Sequence, residues 1–317
     1  MKEIISLFFN LLGFEILTKK NYNRIYIERL PILNYLLSKN TDNLEDGVSS
    51  IVFSKDRSIQ LFALLESYNN NIDQEIDLTV IYNVSNEEHK KSYEELILIF
   101  SKTNKKIKFV LESNTFKSTL LRVIKDVKTK KIFFLTDDDL FIRKFNTDLV
   151  YSINASEAIL SLRFNPELNY SFTVGTKIDR PHFQNYKKYE NVFCFKWFEK
   201  KFDWSDPWSV NGHVFATNEV LVLSTFSDFL APNSYETKLK YFNDLIKNRV
   251  GVCYSESIII NLPINIVQSE VHNYSGDISP QFLLNQWNMG KKIDISKFQN
   301  CKIKSTHEMH EVHFVKR

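Results

Sequence analysis

Apolar residues between Ser49 and Thr136 recur in two alternating patterns. Short, nearly unbroken apolar runs occupy Ser50–Ser54 (SIVFS), Ile76–Val84, Lys106–Leu111 and Lys131–Thr136, which is how strands covered on both faces read. Stretches with helical spacing fall between them. Leu61, Leu64 and Leu65 line one side of a helix over Ser58–Tyr68, and further helices are expected over Asn86–Thr103 and Thr115–Val127. Ser85 or Asn86 would cap the second, with Glu87 and Glu88 in its first turn. Strand and helix alternating through short links predict an α/β fold with a mostly parallel, doubly wound sheet flanked by helices.

The flanks are less regular. Residues 1–47 read as an N-terminal helical extension, with helices over Lys2–Thr18 and Tyr22–Ser38, the second disturbed at Pro31. Ile4–Leu17 is apolar but broken by Asn10, Gly13 and Glu15, too short for a membrane span, and no small-residue cleavage site follows it. Residues 1–20 either dock on the body of the protein or lie peripherally in a membrane surface. Beyond the acidic end of the fourth strand, Ser161–Phe164 and Val192–Trp197 look like strands, with a long loop, Asn165–Tyr189, between them. Pro232 and Asn233 open a helix running to about Lys247, and Gly251–Asn261 and Ile264–Gln268 alternate like strands.

At 317 residues with 43% hydrophobic and 14% aromatic content, the chain can bury a large core. A formal net charge of +3 gives no footprint for nucleic acid, and small lysine clusters such as Lys128, Lys130 and Lys131 suit solvated surface or anionic groups. Cys194, Cys253 and Cys301 are odd in number and far apart, which excludes a disulfide framework or zinc spacing and fits a reducing, cytoplasmic compartment.

Chemistry concentrates in KIFFLTDDDLF, Lys131–Phe141. Asp137, Asp138 and Asp139 follow a fully apolar strand, where open α/β sheets carry their ligand crevice. Adjacent carboxylates there repel one another, and a hard divalent cation, Mg or Mn, offsets that repulsion. Capping of a turn or of a following helix is the plainer use of aspartates. No GxGxxG follows the first strand and no GxxxxGK[ST] occurs, so neither a standard dinucleotide fold nor a phosphate-loop ATPase is supported.

A half-domain with Ser-Lys-Asp-Arg (Ser54–Arg57) closing its first strand, and a fourth strand running into Thr-Asp-Asp-Asp, resembles the GT-A glycosyltransferases, in particular bacterial enzymes that build surface polysaccharide. The likeness covers roughly residues 48–270. It implies a nucleotide-sugar-binding half at 48–141, an acceptor and catalytic half at 142–270, and a tail, 271–317, packed on the active site. It also implies a cation held by Asp137 and Asp139, with His272 completing its shell, and Asp138 beside the donor diphosphate. Ser54, Asp56, Arg57 and Asn83 would meet the base and ribose, although Arg57 could instead pair with Asp56 or Asp137. Trp208, Gly212 and His213, with Trp204 nearby, would face a sugar, or the tryptophans are simply core. Glu236, expected in the first turn of its helix, would be the base of an inverting transfer to a glycan or lipid-linked glycan, or merely a helix-dipole partner. Asp244, Asp228 and Glu219 are further candidates for that base. His307, His310 and His313 fall at i, i+3 and i+6, a weak zinc pattern. Two rival readings are a nucleotidyltransferase making an activated sugar, whose usual glycine-rich loop SKDRSIQ lacks, and a non-catalytic GT-A-like protein that binds glycan or a partner.

Overall fold

A computed structural model describes residues 44–74, 76–103, 106–187, 189–265, 276 and 278–317. Leu44–Arg317 form one compact unit. The expected N-terminal helices and the membrane contact of residues 1–20 lie outside the described residues, as does His272.

The expected alternation is present. β1 (Glu45–Lys55), α1 (Ser58–Asn71), β2 (Asp77–Asn83), α2 (Glu87–Phe100), β3 (Ile107–Leu111), α3 (Phe116–Asp126) and β4 (Thr129–Thr136) follow in order. The ends are set by local chemistry. Asn86 accepts the His89 N–H at 2.9 Å to cap α2, and Thr115 and Ser118 form a reciprocal capping box on α3. β1 and β4 bury long unbroken runs because helices cover both faces of the sheet.

After β4 the chain turns through Asp137 and Asp138 into β5 (Asp139–Phe141), passes α4 (Asp148–Ser152) and enters β6 (Ala158–Ser161). The expected strand at Ser161–Phe164 thus lies earlier, and Leu162–Phe164 leave the sheet. The expected long loop carries only the two-residue pieces β7 (Tyr170–Ser171), β8 (Thr176–Lys177) and β9 (Gln184–Asn185). Then come β10 (Val192–Lys196), β11 (His213–Ala216), α5 (Thr217–Phe226), α6 (Pro232–Leu239), β12 (Val250–Tyr254), β13 (Ile259–Asn261), α7 (Pro280–Asn288), β14 (Lys291–Ile293) and β15 (Phe314–Lys316). Ile264 and Asn265, expected in a strand, are not in one.

The main sheet has nine strands in the order β3-β2-β1-β4-β11-β6-β12-β10-β9. Neighbours from β3 to β4 are parallel, β11 runs against both β4 and β6, and β12 is parallel to β6. Most strands therefore run one way, and β1, β4 and β6 end on the same edge. The order doubles back between β1 and β4, and such a switch point opens a crevice at the strand ends. β13 pairs with β5 outside the main sheet and sets Asn261 opposite Asp139. The tail packs on α1 and α2: Trp287 meets Phe62 edge-on at 5.8 Å, its indole N–H donates to Glu95 at 2.9 Å, and Arg317 covers its face at 3.6 Å. No helix among the described residues is long and apolar enough to cross a membrane.

Candidate active site

The three aspartates reach the switch point in three different states. Asp137 is buried and clamped: its Oδ1 accepts from Arg57 Nη1 at 2.9 Å, and its Oδ2 accepts from Ser54 Oγ at 2.8 Å and the Lys55 N–H at 3.2 Å. Burial pushes its carboxyl up to about 6, against the pull of Arg57. Asp139 is fully buried. It accepts from the Thr136 N–H at 2.8 Å and from the amides of Asn211 and Asn261 at 3.0–3.2 Å. Burial, then the charge of Asp138, raises its carboxyl. Asp138 differs from both. Its side chain is 14% exposed, and it accepts only from Asn261 at 2.8 Å and, more distantly, from Arg57 at 3.4 Å.

The expected ligands Asp137 and Asp139 accept several hydrogen bonds from protein donors, and Asp138 accepts fewer among the described residues. Arg57 takes the ion-pair alternative, bridging Asp137, Asp138 and the Asn265 carbonyl. Ser54, expected to meet the nucleotide, is buried between Tyr93 and Asp137 and donates to that carboxylate. Asp56, in the left-handed region at φ 54°, accepts from the Ser85 N–H and hydroxyl at 2.8 and 2.6 Å. Its own N–H donates to the Asn83 carbonyl at 3.3 Å, which ties the ends of β1 and β2 together. Asn83 is half-buried there.

The histidine that the described tail brings to this edge is His307. Its backbone bridges to Asn261, and the charges of Asp138, Asp203 and Glu236 all act on it. Burial, then Arg163, lowers its pKa, so it is neutral near pH 7. Its tautomer follows from one hydrogen. The Thr306 hydroxyl donates to Asp203 Oδ1 at 2.7 Å, so the 3.0 Å contact with His307 Nδ1 is donated by the ring, and Nε2 keeps its lone pair. Helical spacing of the tail histidines played no part in this, since the segment is not helical.

Glu236 sits beyond the first turn of α6, not within it. Its Oε2 accepts the Val210 N–H at 3.0 Å, and Lys240 lies 3.5 Å from its Oε1. Lys240 also donates to Asp206 Oδ2 at 3.0 Å, while the other Asp206 oxygen is buried without a partner. Burial and then the charge of Glu236 raise the Asp206 carboxyl. Sequence reasoning missed Asp206, although it lies inside the DWSDPWSVNGH window that drew attention to its tryptophans. Of the other candidates for the base, Glu219 is locked in a bidentate pair with Arg249 and Asp228 is a surface partner of Lys117. Asp244 is exposed in the short helix after α6.

Trp208, Gly212 and His213 do not line a cleft. Trp208 and Trp204 are fully buried, Trp208 stacked on Phe215 at 5.4 Å and Trp204 against Phe164 at 4.9 Å. His213 is buried too, donating from Nδ1 to the Pro207 carbonyl at 3.0 Å, and burial drives its pKa down to about 3. Gly212, at φ 72°, threads between β4 and β6, donating to the Phe134 carbonyl at 2.7 Å and accepting from the Leu162 N–H at 2.8 Å. These residues are framework because the aromatic content of the window exceeds what a surface cleft leaves exposed.

Among the described residues no three His, Cys, Asp or Glu side chains converge into a complete metal shell. The donor set still fits a hard cation of the kind that takes one or two carboxylates from protein and the rest from substrate phosphates and water. Among the described residues Asp138 accepts from Asn261 and Arg57 alone, and His307 Nε2 has no bonded partner.

No family model matches the chain. Over 193 residues it is 30% identical to the bifunctional glycosyltransferase pgtA of Dictyostelium discoideum, a match that takes in 56% of this chain and 25% of the relative. The chain thus spans about a quarter of the length of that curated relative. Among solved structures, S. aureus TarS 1-349 in complex with UDP-GlcNAc is 15% identical, with a TM-score of 0.45 over 74% of this chain and 63% of that one. GalNAc-T7 with UDP, GalNAc and Mn2+ is 11% identical, with a TM-score of 0.44 over 84% of this chain and 55% of that one. The resemblance read from the sequence is therefore shared by a curated glycosyltransferase across more than half of the chain.

Proposed function

We propose that the protein is a glycosyltransferase that moves a sugar from a nucleotide-diphosphate donor to a hydroxyl of a glycan or lipid-linked glycan, with inversion and with the help of Mg or Mn. The observation that carries this reading is the state of the acidic cluster at the switch point. Asp137 and Asp139 are fixed by protein donors, while Asp138 is partly open and shares a partner with the tail histidine: Asn261 donates to Asp138 and bridges by its backbone to His307, whose Nε2 is bonded to none of the described residues. Asp138 and His307 would hold the cation. When bound, it would neutralise charge developing on the departing diphosphate.

The remaining roles belong to the chain itself. Arg57, held by Asp137, keeps Asp138 oriented. Asp56 and Asn83, at the ends of β1 and β2, lie on the side where base and ribose would sit. The Asp206–Glu236 pair supplies the proton acceptor for the incoming hydroxyl. Burial, then the like charge of Glu236, raises the Asp206 carboxyl against the pull of the shared Lys240, toward the range in which a general base works best near neutral pH. A surface-polysaccharide acceptor agrees with the sequence resemblance, and the short similarity to pgtA supports sugar transfer without naming the sugar.

The test is product analysis with UDP-, GDP-, dTDP- and CMP-sugars and Mn. Release of nucleoside diphosphate, or of nucleoside monophosphate from a CMP-sugar, with a product of inverted anomeric configuration by NMR, is the expected result. Asp138→Asn should slow it about a hundredfold, the usual cost of losing one electrostatic stabiliser. In a parallel assay supplied with a nucleoside triphosphate and a sugar 1-phosphate, release of pyrophosphate would make the protein a nucleotidyltransferase, and no turnover in either assay would leave a binding protein.

A further inference from the structure

Arg163 stands just past the end of β6 and is 4% exposed. Buried arginines are ordinarily paired, as two others here are: Arg57 at this edge holds Asp137, and Arg249 at the opposite edge holds Glu219. Arg163 holds nothing. Among the described residues it makes no ion pair and no side-chain hydrogen bond, its Nε is buried without a partner, and its guanidinium carbon lies 5.5 Å from the ring of its own neighbour Phe164. An uncompensated buried charge costs several kcal/mol, so a fold that keeps one gains something elsewhere.

Its position says where. β6 ends on the same edge as β4, with only β11 between them, so at the usual strand spacing the strand end that leads into Arg163 is about 10 Å from the end of β4. It lies on the side away from β1 and β2, where Asp56 and Asn83 stand. The charge of Arg163 acts on Asp206, on His307 and on the buried His213, which places it within electrostatic reach of the carboxylate pair and the tail histidine. The acids nearby have other partners. Asp206 is held by Lys240 at 3.0 Å and Asp203 by Thr306 at 2.7 Å, and neither comes within ion-pair distance of Arg163.

We propose that Arg163 is the seat of an anionic group, a carboxylate or phosphate, carried by the transferred sugar or by the acceptor and not by the nucleotide. This rests on the sugar-transfer reading above and narrows its substrate class. A planar guanidinium presents paired donors that match a carboxylate or phosphate edge, and for a group shielded from water that match discriminates strongly against a neutral hydroxyl.

The experiment measures binding by calorimetry in wild type, Arg163→Gln and Arg163→Lys, with Mn present. The donor arm compares UDP-glucuronate with UDP-glucose, and UDP alone. The acceptor arm compares methyl glucuronide with methyl glucoside, and glycerol 3-phosphate with glycerol. In wild type, one arm should favour its charged member by at least about tenfold, the worth of one charge-assisted contact. Arg163→Gln should abolish that preference and leave UDP binding unchanged, and Arg163→Lys should retain part of it. The melting temperature of ligand-free Arg163→Gln should equal or exceed that of wild type, because a buried charge without a partner has been removed. Three results would overturn the proposal: no preference for a charged member in either arm, an equal loss of UDP binding in Arg163→Gln, or a lowered melting temperature with binding unchanged. The last would mean that Arg163 serves Asp203 and Asp206 through water. Failure of UDP and every nucleotide sugar to bind would sink the transferase reading instead, and the acceptor arm would still report on Arg163.

Discussion

Asp137 and Asp138 are chemically identical neighbours with opposite duties, and substitution should separate them. Asp137→Ala leaves Arg57 buried without its main partner and should cost about 3–5 kcal/mol of stability, read by urea denaturation. Asp138→Ala removes a half-open carboxylate and should leave the denaturation midpoint nearly unchanged while abolishing cation-dependent turnover. The triple itself was legible in the sequence, since three carboxylates ending an apolar strand are conspicuous. Which of them stays open was not, because Arg57, Asn211 and Asn261 arrive from three distant elements. His213 yields a pH prediction. Its folded pKa lies near 3, below the unfolded value near 6.5, so only the unfolded chain takes up its proton in that window and stability falls on acidification. His213→Phe loses the bond to Pro207 but also this proton uptake. Its melting temperature, set against wild type at pH 7 and pH 4.5, should therefore improve as the pH drops.

The βα alternation from β1 to β4 was readable because period, caps and run length all agree there. β5 and β13 were not, since three residues of strand carry no period. Yet that small pair is what sets Asn261 against Asp138 and Asp139. The DWSDPWSVNGH segment misled for a physical reason: tryptophan next to Gly-His suits a sugar cleft and a core equally well, and only burial decides. Gly212 is informative here. A Cβ at this position would meet Ile259 Cδ1 at 2.3 Å, and the backbone is already at φ 72°. Gly212→Ala should cost roughly 2–4 kcal/mol by strain and overpacking together. Adding Ile259→Ala should recover part of the packing share, visible as a non-additive double-mutant cycle in urea.

For the molecule as a whole, the tail matters more than its weak sequence signals suggest. It anchors on α1 and α2 through Trp287 and then returns to the sheet edge that carries the aspartates, where Thr306 and His307 meet Asp203 and Asn261. Two halves of one sheet and a returning tail thus meet around the partly open Asp138. If that site holds a cation against a donor's phosphates, ligand binding stabilises the folded state only when the cation and Asp138 are both present. The decisive measurement is a thermal-shift series with UDP-, GDP-, dTDP- and CMP-sugars, with and without Mn, on wild type and Asp138→Asn. At least one donor should raise the wild-type melting temperature in the presence of Mn, with little shift in its absence and little in the variant. A donor shift that is the same with and without Mn and survives in Asp138→Asn, or no shift with any donor, would contradict the account.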